Sequence, residues 1–387
     1  MIALITEIIQ KFGTRPAGSD AEKQAQLFIK AKCEEFTNTV QFLPFQEHLR
    51  ARFGKLKYYV VIYIAALLLY NYLPVVALII ALVNAFFVIS DLMMYRDVLT
   101  QFPGAKETSS NVEAVLEPRI IAKSTLIISA HMDSAHEYRW WYKLGGLGVR
   151  LTVLAGVLMV MLPLFLAWHI FWPSHFHFYL WLFFVVLTPV TIVFWSMEEK
   201  HTVPGAQDNL SGIAIAYETF KHFSDKNENG KSILETTRIK FVSFGSEERG
   251  LCGSRMYVRQ KKEELKSENA FLINIDGVRL VKEISIVKRE LMNGTSYNPK
   301  LISGLQQSFQ RLNLSYKMIT IPIGGTDGVS FARAGLPAVS IIGMSTTEYD
   351  FTYHTRHDVV ANIEPQALEH VKSGIIEFVT KWDETSV

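Results

Sequence analysis

Two pairs of long apolar segments, each pair broken by a short polar turn, interrupt this chain and limit what the rest of it can become. Tyr58 to Tyr70 and Pro74 to Ile89 lie either side of the break Asn71-Tyr72-Leu73-Pro74, and Leu151 to Phe171 and Phe176 to Trp195 flank Pro173-Ser174-His175. A hydrocarbon layer about 30 Å thick needs roughly 20 helical residues. The second pair has that length outright. The first reaches it only when Leu73 and the segment through Met94 are included. Two transmembrane hairpins, 58–94 and 151–195, are therefore expected, giving four spans that each time return the chain to the side it left. The alternative is a helical hairpin buried inside a soluble domain. The 387-residue chain is 49% hydrophobic, high for a wholly soluble protein, and this favours a lipid bilayer as partner.

Basic residues near the apolar segments set the expected orientation. Arg50, Arg52, Lys55 and Lys57 precede the first pair and Arg96 follows it; Lys143 and Arg150 precede the second and Lys200 follows it. The two connecting turns hold neither Lys nor Arg. The positive-inside rule then puts the globular portions in the cytoplasm and the hairpin tips outside. The opening MIALITEIIQKFG lacks a basic leader and carries Glu7, so it does not read as a secretory signal. A formal net charge of +2, with no Lys/Arg run interleaved with aromatics, argues against a nucleic-acid groove. Cys33 and Cys252 sit in unlike contexts without CxxC spacing, which indicates neither a disulfide framework nor a structural zinc knot.

With the hairpins set aside, residues 1–57, 95–150 and 196–387 read as one discontinuous α/β domain. MIALITEIIQKFG and AEKQAQLFIKAKCEEF have helical periodicity, and TVQFLPFQEHL alternates as a strand. NVEAVLE, TLIISA, IKFVSF, FLINI, ISIVKRE, YKMITIPI and PAVSII are further strand-like runs, with helices expected over 209–223, 254–266 and 364–382. Strands alternating with helices favour a three-layer sheet domain over a bundle or barrel.

Chemistry-bearing residues cluster at the ends of those runs. LIISA leads to His131, IKFVSF to Glu247 and Glu248, and FLINI to Asp276, while Asp208 and His354 lie in the turn-rich PGAQDNLSG and YHTRHD. Ligands beyond the carboxyl ends of neighbouring strands are where an open α/β sheet places its chemistry. Zinc takes imidazole nitrogen and carboxylate oxygen, and a hydrolytic pair of ions needs one bridging group plus separate ligands for each. Asp208, in a Gly-rich turn before a helix, is the best bridge. His131 and Asp276 can complete one ion's set, Glu248 and His354 the other's, and Asp133 can orient His131 by accepting its second N–H. Glu247 is then free to act as the catalytic carboxylate beside the attacking water. Taken singly, Asp-Asn-Leu-Ser-Gly is more often a cap and Glu-Glu a solvated pair; the complete set from separate segments is what points to a site.

The sequence resembles the dizinc aminopeptidase family, whose wider relatives include glutamate carboxypeptidases and glutaminyl cyclases. The likeness is carried by GTRPAGS, AHMDS, GAQDNLSG, SEERGLCGS, NIDG, GTDGVSFARAGLPAV and YHTRHD in that order, over nearly all the non-membrane sequence. It implies a zinc-exopeptidase-like three-layer domain with a mixed central sheet and two Zn2+ per chain. His131, Asp208 and Asp276 would hold one ion, and Asp208, Glu248 and His354 the other. It also implies Glu247 as general base and a peptide or protein N-terminus as substrate. The departure from the pattern is the second hairpin, lying between His131 and Asp208, where a compact relative would have a short loop. Both insertions are expected to leave one rim of the domain, which points to membrane-associated peptides or exposed protein termini as substrates. A related carboxypeptidase, dipeptidase or cyclase is the alternative activity. A non-catalytic receptor or scaffold is disfavoured by the complete ligand-and-base set.

Other positions are less defined. Asp327 in GGTDG reads as an Asx-turn or, by the resemblance, as support near the cleft. Tyr353 reads as a packing aromatic or as a hydroxyl donor to an oxyanion. His136 and His357 are reserve ligands out of register. Arg249 and Arg279 could receive a substrate carboxylate, a handle opposite to the one an aminopeptidase needs.

Overall fold

The computed structural model describes every residue except 50, 97, 99–103, 173, 226–231, 346–348 and 387; Arg50 and Pro173, read above as a basic flank and a turn, lie outside the described residues. The chain divides into two units. The first comprises Met1–Leu49, Lys106–His136 and His201–Val387 and is built on one mixed sheet. Its strands are β1 Val40–Glu47, β2 Glu107–Leu116, β3 Ser124–His131, β4 Thr237–Phe244, β5 Ala270–Asp276, β6 Ser285–Glu290, β7 Thr295–Ser296, β8 Lys317–Ile321 and β9 Ala338–Ile342. They lie in the order β1-β2-β4-β3-β5-β9-β6-β8, with β7 paired to β6. At the centre, β4, β3, β5 and β9 run parallel, whereas β1 and β2 join antiparallel at one side.

Strand alternation produces the layers. On β3, Leu126, Ile128 and Ala130 enter one core while Ile127 enters the other, as the two-residue period of a pleated strand requires. Phe271, Ile273 and Ile275 of β5 join the first core, and Leu272 joins the second. Helices α1 Ile2–Phe12, α2 Asp20–Glu34, α3 Gly212–Ser224, α5 Pro299–Arg311 and α7 Pro365–Ser386 bury apolar stripes in the first core. Against the second pack α4 Cys252–Ser267 and α6 Gly328–Arg333. The central strands β3, β5 and β9, buried on both faces, and the helices covering the sheet match the expected three layers. Helix α2 starts at Ser19, whose side chain accepts from the Glu22 N–H at 3.1 Å, an ordinary N-cap.

Among the described residues of this unit, two α-helices were absent from the sequence reading. In α5 the signal is present, because Leu301, Leu305 and Phe309 form one buried stripe behind an Asn298 cap and a Pro299 first residue. The six-residue α6 is too short to show periodicity.

The second unit, Arg50–Ala105 and Glu137–Lys200, is helical and apolar inside and out. Its helices Pro74–Met93, Gly146–Phe171 and Phe176–Trp195 are long and apolar enough to cross a membrane. The helix Leu56–Leu69 has 14 residues and at 1.5 Å per residue extends about 21 Å, short of the roughly 30 Å hydrocarbon layer. Tyr59, Tyr63, Ala66, Ala81, Ala155, Met159 and Phe184 pack its interior, while Leu68, Leu164 and Val186 remain 67%, 60% and 65% exposed. Inside, Lys55 Nζ meets Asp91 Oδ2 at 2.5 Å with both side chains buried, and the Tyr59 hydroxyl donates to the same oxygen at 3.1 Å.

Candidate metal centre

Three adjacent parallel strands deliver the first residues of the site. His131 ends β3, Asp276 ends β5, and the turn after β4 carries Glu247 and Glu248. The register pairs His131 with Phe244 and Ser129 with Asn274, so these carboxyl ends are level. Asp208 arrives from the turn Ala206–Ser211 before α3, which starts at Gly205 with φ 65°. A Cβ there would lie 2.7 Å from the Ser134 Cβ and 2.8 Å from the Asp208 carbonyl oxygen, so the turn admits only glycine. His354, at φ 54°, comes from the loop before α7.

The Asp208 carboxylate stands between two imidazoles. His131 Nε2 lies 3.1 Å from Asp208 Oδ1, and His354 Nε2 lies 3.2 Å from Asp208 Oδ2. On the first side Asp276 Oδ1 is 3.7 Å and Glu247 Oε2 3.8 Å from His131 Nε2. On the second, Glu248 Oε2 is 3.3 Å from His354 Nε2. The sets His131, Asp208, Asp276 and Asp208, Glu248, His354 each offer donor atoms close enough to share one ion, as does His131 with Glu247 and Glu248. Glu248 Oε1 is buried with no hydrogen-bond partner among the described residues. So many buried carboxylates around two imidazoles are tolerable only with added positive charge, and nitrogen-plus-carboxylate donors suit zinc.

Buried carboxylates also hold the backbone of the site. Asp133 Oδ1 accepts from Glu247 N at 3.0 Å and Oδ2 from Glu248 N at 3.1 Å. Glu22 of α2 accepts from the preceding Ser246 N at 2.7 Å, so three consecutive N–H groups are fixed by two acids. His131 Nδ1 is 3.2 Å from the Asp133 carbonyl oxygen and 3.4 Å from its Oδ1, which turns Nε2 toward Asp208. Asp358 does for the other turn what Asp133 does here, accepting from Gln207 N at 2.5 Å and Asp208 N at 3.1 Å. Arg15 ties the same region together through Met132 O at 3.0 Å and Gly205 O at 3.3 Å.

Burial sets the titration of this cluster, and neighbours correct it. Asp208 is opposed by burial, but hydrogen bonds from His131 and His354 hold its carboxyl well below the usual range. Burial acts to lower His131, but the charge of Glu247 and the hydrogen bonds to Asp133, Asp208 and Asp276 carry it well above its ordinary value. Burial raises Glu247 against the pull of His131, with Asp327, Asp276 and Asp133 adding to the rise. Glu248 is raised by burial and then by Asp208 and Glu247. Farther out, burial lifts Asp358 to about 8, Glu22 to about 8 and Asp327 to about 7.

Of the remaining positions singled out in the sequence, Asp327 is fully buried at the start of α6. The half-buried Tyr353 ring leans on the His354 ring, with centroids 4.1 Å apart, which fits packing. His136 and His357 belong to none of the metal-capable groups among the described residues. Arg279 is engaged by Glu283 at 3.0 Å and Asp350 at 3.5 Å. The supporting residues Glu22, Asp358 and Arg15 were missed as functional positions. Arg15 and Asp358 lie inside GTRPAGS and YHTRHD; nothing local distinguishes Glu22 from a solvated helix acid.

Residues 188–379 match the family model described as Peptidase family M28. This chain carries a peptidase family M28 domain. The chain is 28% identical over 188 residues to aminopeptidase YwaD of Bacillus subtilis, covering 46% of this chain and 38% of that protein. It is 25% identical over 199 residues to an aminopeptidase of Pseudomonas aeruginosa, covering 46% and 36%. The match thus spans well under half the length of these curated relatives. Among solved structures, the zinc aminopeptidase BSAP of Bacillus subtilis superposes with a TM-score of 0.58 at 16% identity, covering 98% of this chain and 94% of that one. Glutaminyl cyclase of Porphyromonas gingivalis does so with a TM-score of 0.58 at 16% identity, covering 98% and 96%. At such identities the likeness shows the fold alone.

Replacing Asp358 tests the support of the Asp208 turn. Asp358→Ala leaves two buried N–H groups without an acceptor, at a cost of roughly 1–3 kcal/mol each. Thermal unfolding should show a clear drop for D358A and a smaller one for D358N, whose amide oxygen can still accept. An unchanged melting temperature in D358A would contradict this support.

Proposed function

We propose that this chain is a membrane-embedded, two-zinc aminopeptidase that removes N-terminal residues from peptides. The observation that carries the reading is the Asp208 carboxylate, whose two oxygens face His131 and His354 separately at 3.1 and 3.2 Å. One acid serving two imidazole–carboxylate sets is the donor arrangement of a bridged pair of ions. His131, Asp208 and Asp276 would hold one zinc, and Asp208, Glu248 and His354 the other. Bound there, zinc supplies Lewis-acid polarisation of the scissile carbonyl and a lowered pKa for water.

Glu247 takes the proton from the attacking water and returns it to the departing amine. Its backbone is pinned by Asp133, so its carboxylate is positioned while its neighbour Glu248 is turned toward His354. Arg279, a possible receiver of a substrate carboxylate, is already paired with Glu283 and Asp350, which supports an aminopeptidase over a carboxypeptidase. The fold itself is shared with glutaminyl cyclases; the second zinc-type donor set around Asp208 supports peptide hydrolysis.

A matched peptide panel tests the reading. Peptides with free ends and with C-terminal amides should lose residues one at a time from the N-terminus, and N-acetylated peptides should be resistant. Cleavage that survives acetylation and stops on C-terminal amidation would replace this reading with a carboxypeptidase.

The helical unit is assigned two membrane hairpins, 58–94 and 151–195, of which the helix Leu56–Leu69 is shorter than the hydrocarbon layer and the other three reach spanning length, with the remaining segments in the cytoplasm. The support is the three spanning-length helices, the exposed apolar exterior and the basic flanks. Single cysteines at the two hairpin tips should react with impermeant reagents added outside sealed cells. Outside labelling of the loop 224–232, whose residues 226–231 lie outside the described ones, would overturn the orientation.

A further inference from the structure

The ends of the helices Leu56–Leu69, Gly146–Phe171 and Phe176–Leu187 bring Tyr70, His169 and His177 together inside the helical unit. The His169 and His177 ring centroids are 5.0 Å apart, inclined by 66°. Tyr70 stacks on His169 at 5.0 Å and 23°. His177 is 2% exposed and Tyr70 fully buried. His177 Nε2 lies 2.6 Å from the Trp172 carbonyl oxygen. A carbonyl can only accept, so Nε2 carries the proton and donates, which leaves Nδ1 of the neutral ring as a bare lone pair. That Nδ1 has no hydrogen-bond partner among the described residues, and neither has His169 Nδ1 or the Tyr70 hydroxyl.

Three buried polar atoms without partners in an apolar surrounding are costly, and their chemistry names what would satisfy them. We infer that His169 Nδ1 and His177 Nδ1 bind a single zinc-class divalent cation, separate from the M28 cluster, with the Tyr70 oxygen as the third protein donor. At metal–nitrogen distances of about 2.0–2.1 Å, two imidazoles sharing one tetrahedral ion would have ring centres roughly 5 Å apart, which the 5.0 Å separation of His169 and His177 allows. The Trp172 carbonyl plays the part of the outer partner that fixes the tautomer of a ligating histidine. An imidazole-rich donor set selects zinc or copper over magnesium or calcium. The ion would fasten the ends of the helices that meet there and so stabilise this unit without entering catalysis.

The full-length protein in detergent, stripped with chelator and re-equilibrated with zinc alone, tests this by metal analysis and thermal unfolding. Asp208→Ala, which removes the bridge of the M28 cluster, should still retain one zinc per chain. Adding His177→Ala or His169→Gln to that background should remove it. In the otherwise wild-type protein, H177A and H169Q should lower the zinc-dependent rise in melting temperature while leaving peptide turnover unchanged. His175→Ala, at an exposed histidine on the same turn, should alter neither. If D208A holds no zinc, or if zinc retained by D208A survives both histidine substitutions, the site does not exist. Loss of zinc in H175A equal to that in H177A would reduce it to surface adsorption. Failure of the M28 cluster to bind zinc would leave this result intact, because the wild type would then hold the one ion removed by H177A.

Discussion

Glu247→Gln should abolish most turnover of unblocked peptides while leaving the zinc of the M28 cluster in place. The amide keeps the size of the side chain and the backbone contacts of Glu247 N to Asp133, but it can neither accept the proton of water nor deliver one to the leaving amine. Removing a general acid–base costs roughly 10²–10⁴-fold in rate, and the loss should fall on kcat with little change in KM. Neighbouring Glu248, raised by the same burial, is held toward His354 at 3.3 Å and is badly placed to substitute. Near-normal turnover with full zinc content would remove Glu247 from the chemistry. The conservative Glu247→Asp should recover part of the rate, since it restores a carboxylate about one methylene short of its place.

Asp208→Ala should do what no other single change in the site does, emptying both halves of the cluster together. Each Asp208 oxygen faces a different imidazole, so its removal takes one donor from each ion and the bridge from the pair. His131→Ala, by comparison, should weaken chiefly the half it shares with Asp276. Metal analysis after dialysis should show the loss of about two zinc ions from D208A, and peptide turnover should fall by at least the factor seen for E247Q. A D208A protein with an undiminished metal content would show that Asp208 is not the shared ligand.

The parts of this site that were legible in sequence are those produced by local rules. An apolar run followed at once by His131, Glu247 or Asp276 reads as a strand ending in a polar side chain, and parallel pairing of β4, β3 and β5 then aligns the ends. Asp208 was legible because a Gly-rich turn before a helix is recognisable without knowing its surroundings. Asp358 and Glu22 could not be read this way. Their work consists of holding the N–H groups of Gln207, Asp208 and Ser246, partners far away along the chain that only the folded sheet brings near. The role of Asp133 was read as orienting His131; its carboxylate proves also to hold the Glu247 and Glu248 turn. In the helical unit, composition marked the apolar hairpins, but the actual extent of Leu56–Leu69 depends on where Tyr70 and the following turn end the helix, which hydropathy alone does not fix.

The measurement closest to the central claim is hydrolysis of an unblocked peptide by chelator-stripped protein as zinc is added back, with the N-acetylated peptide run in parallel. Turnover should be absent in the stripped protein, return with zinc on the unblocked peptide, and stay absent on the acetylated one. Undiminished turnover without zinc, or equal cleavage of both peptides once zinc is restored, would contradict a zinc-dependent aminopeptidase.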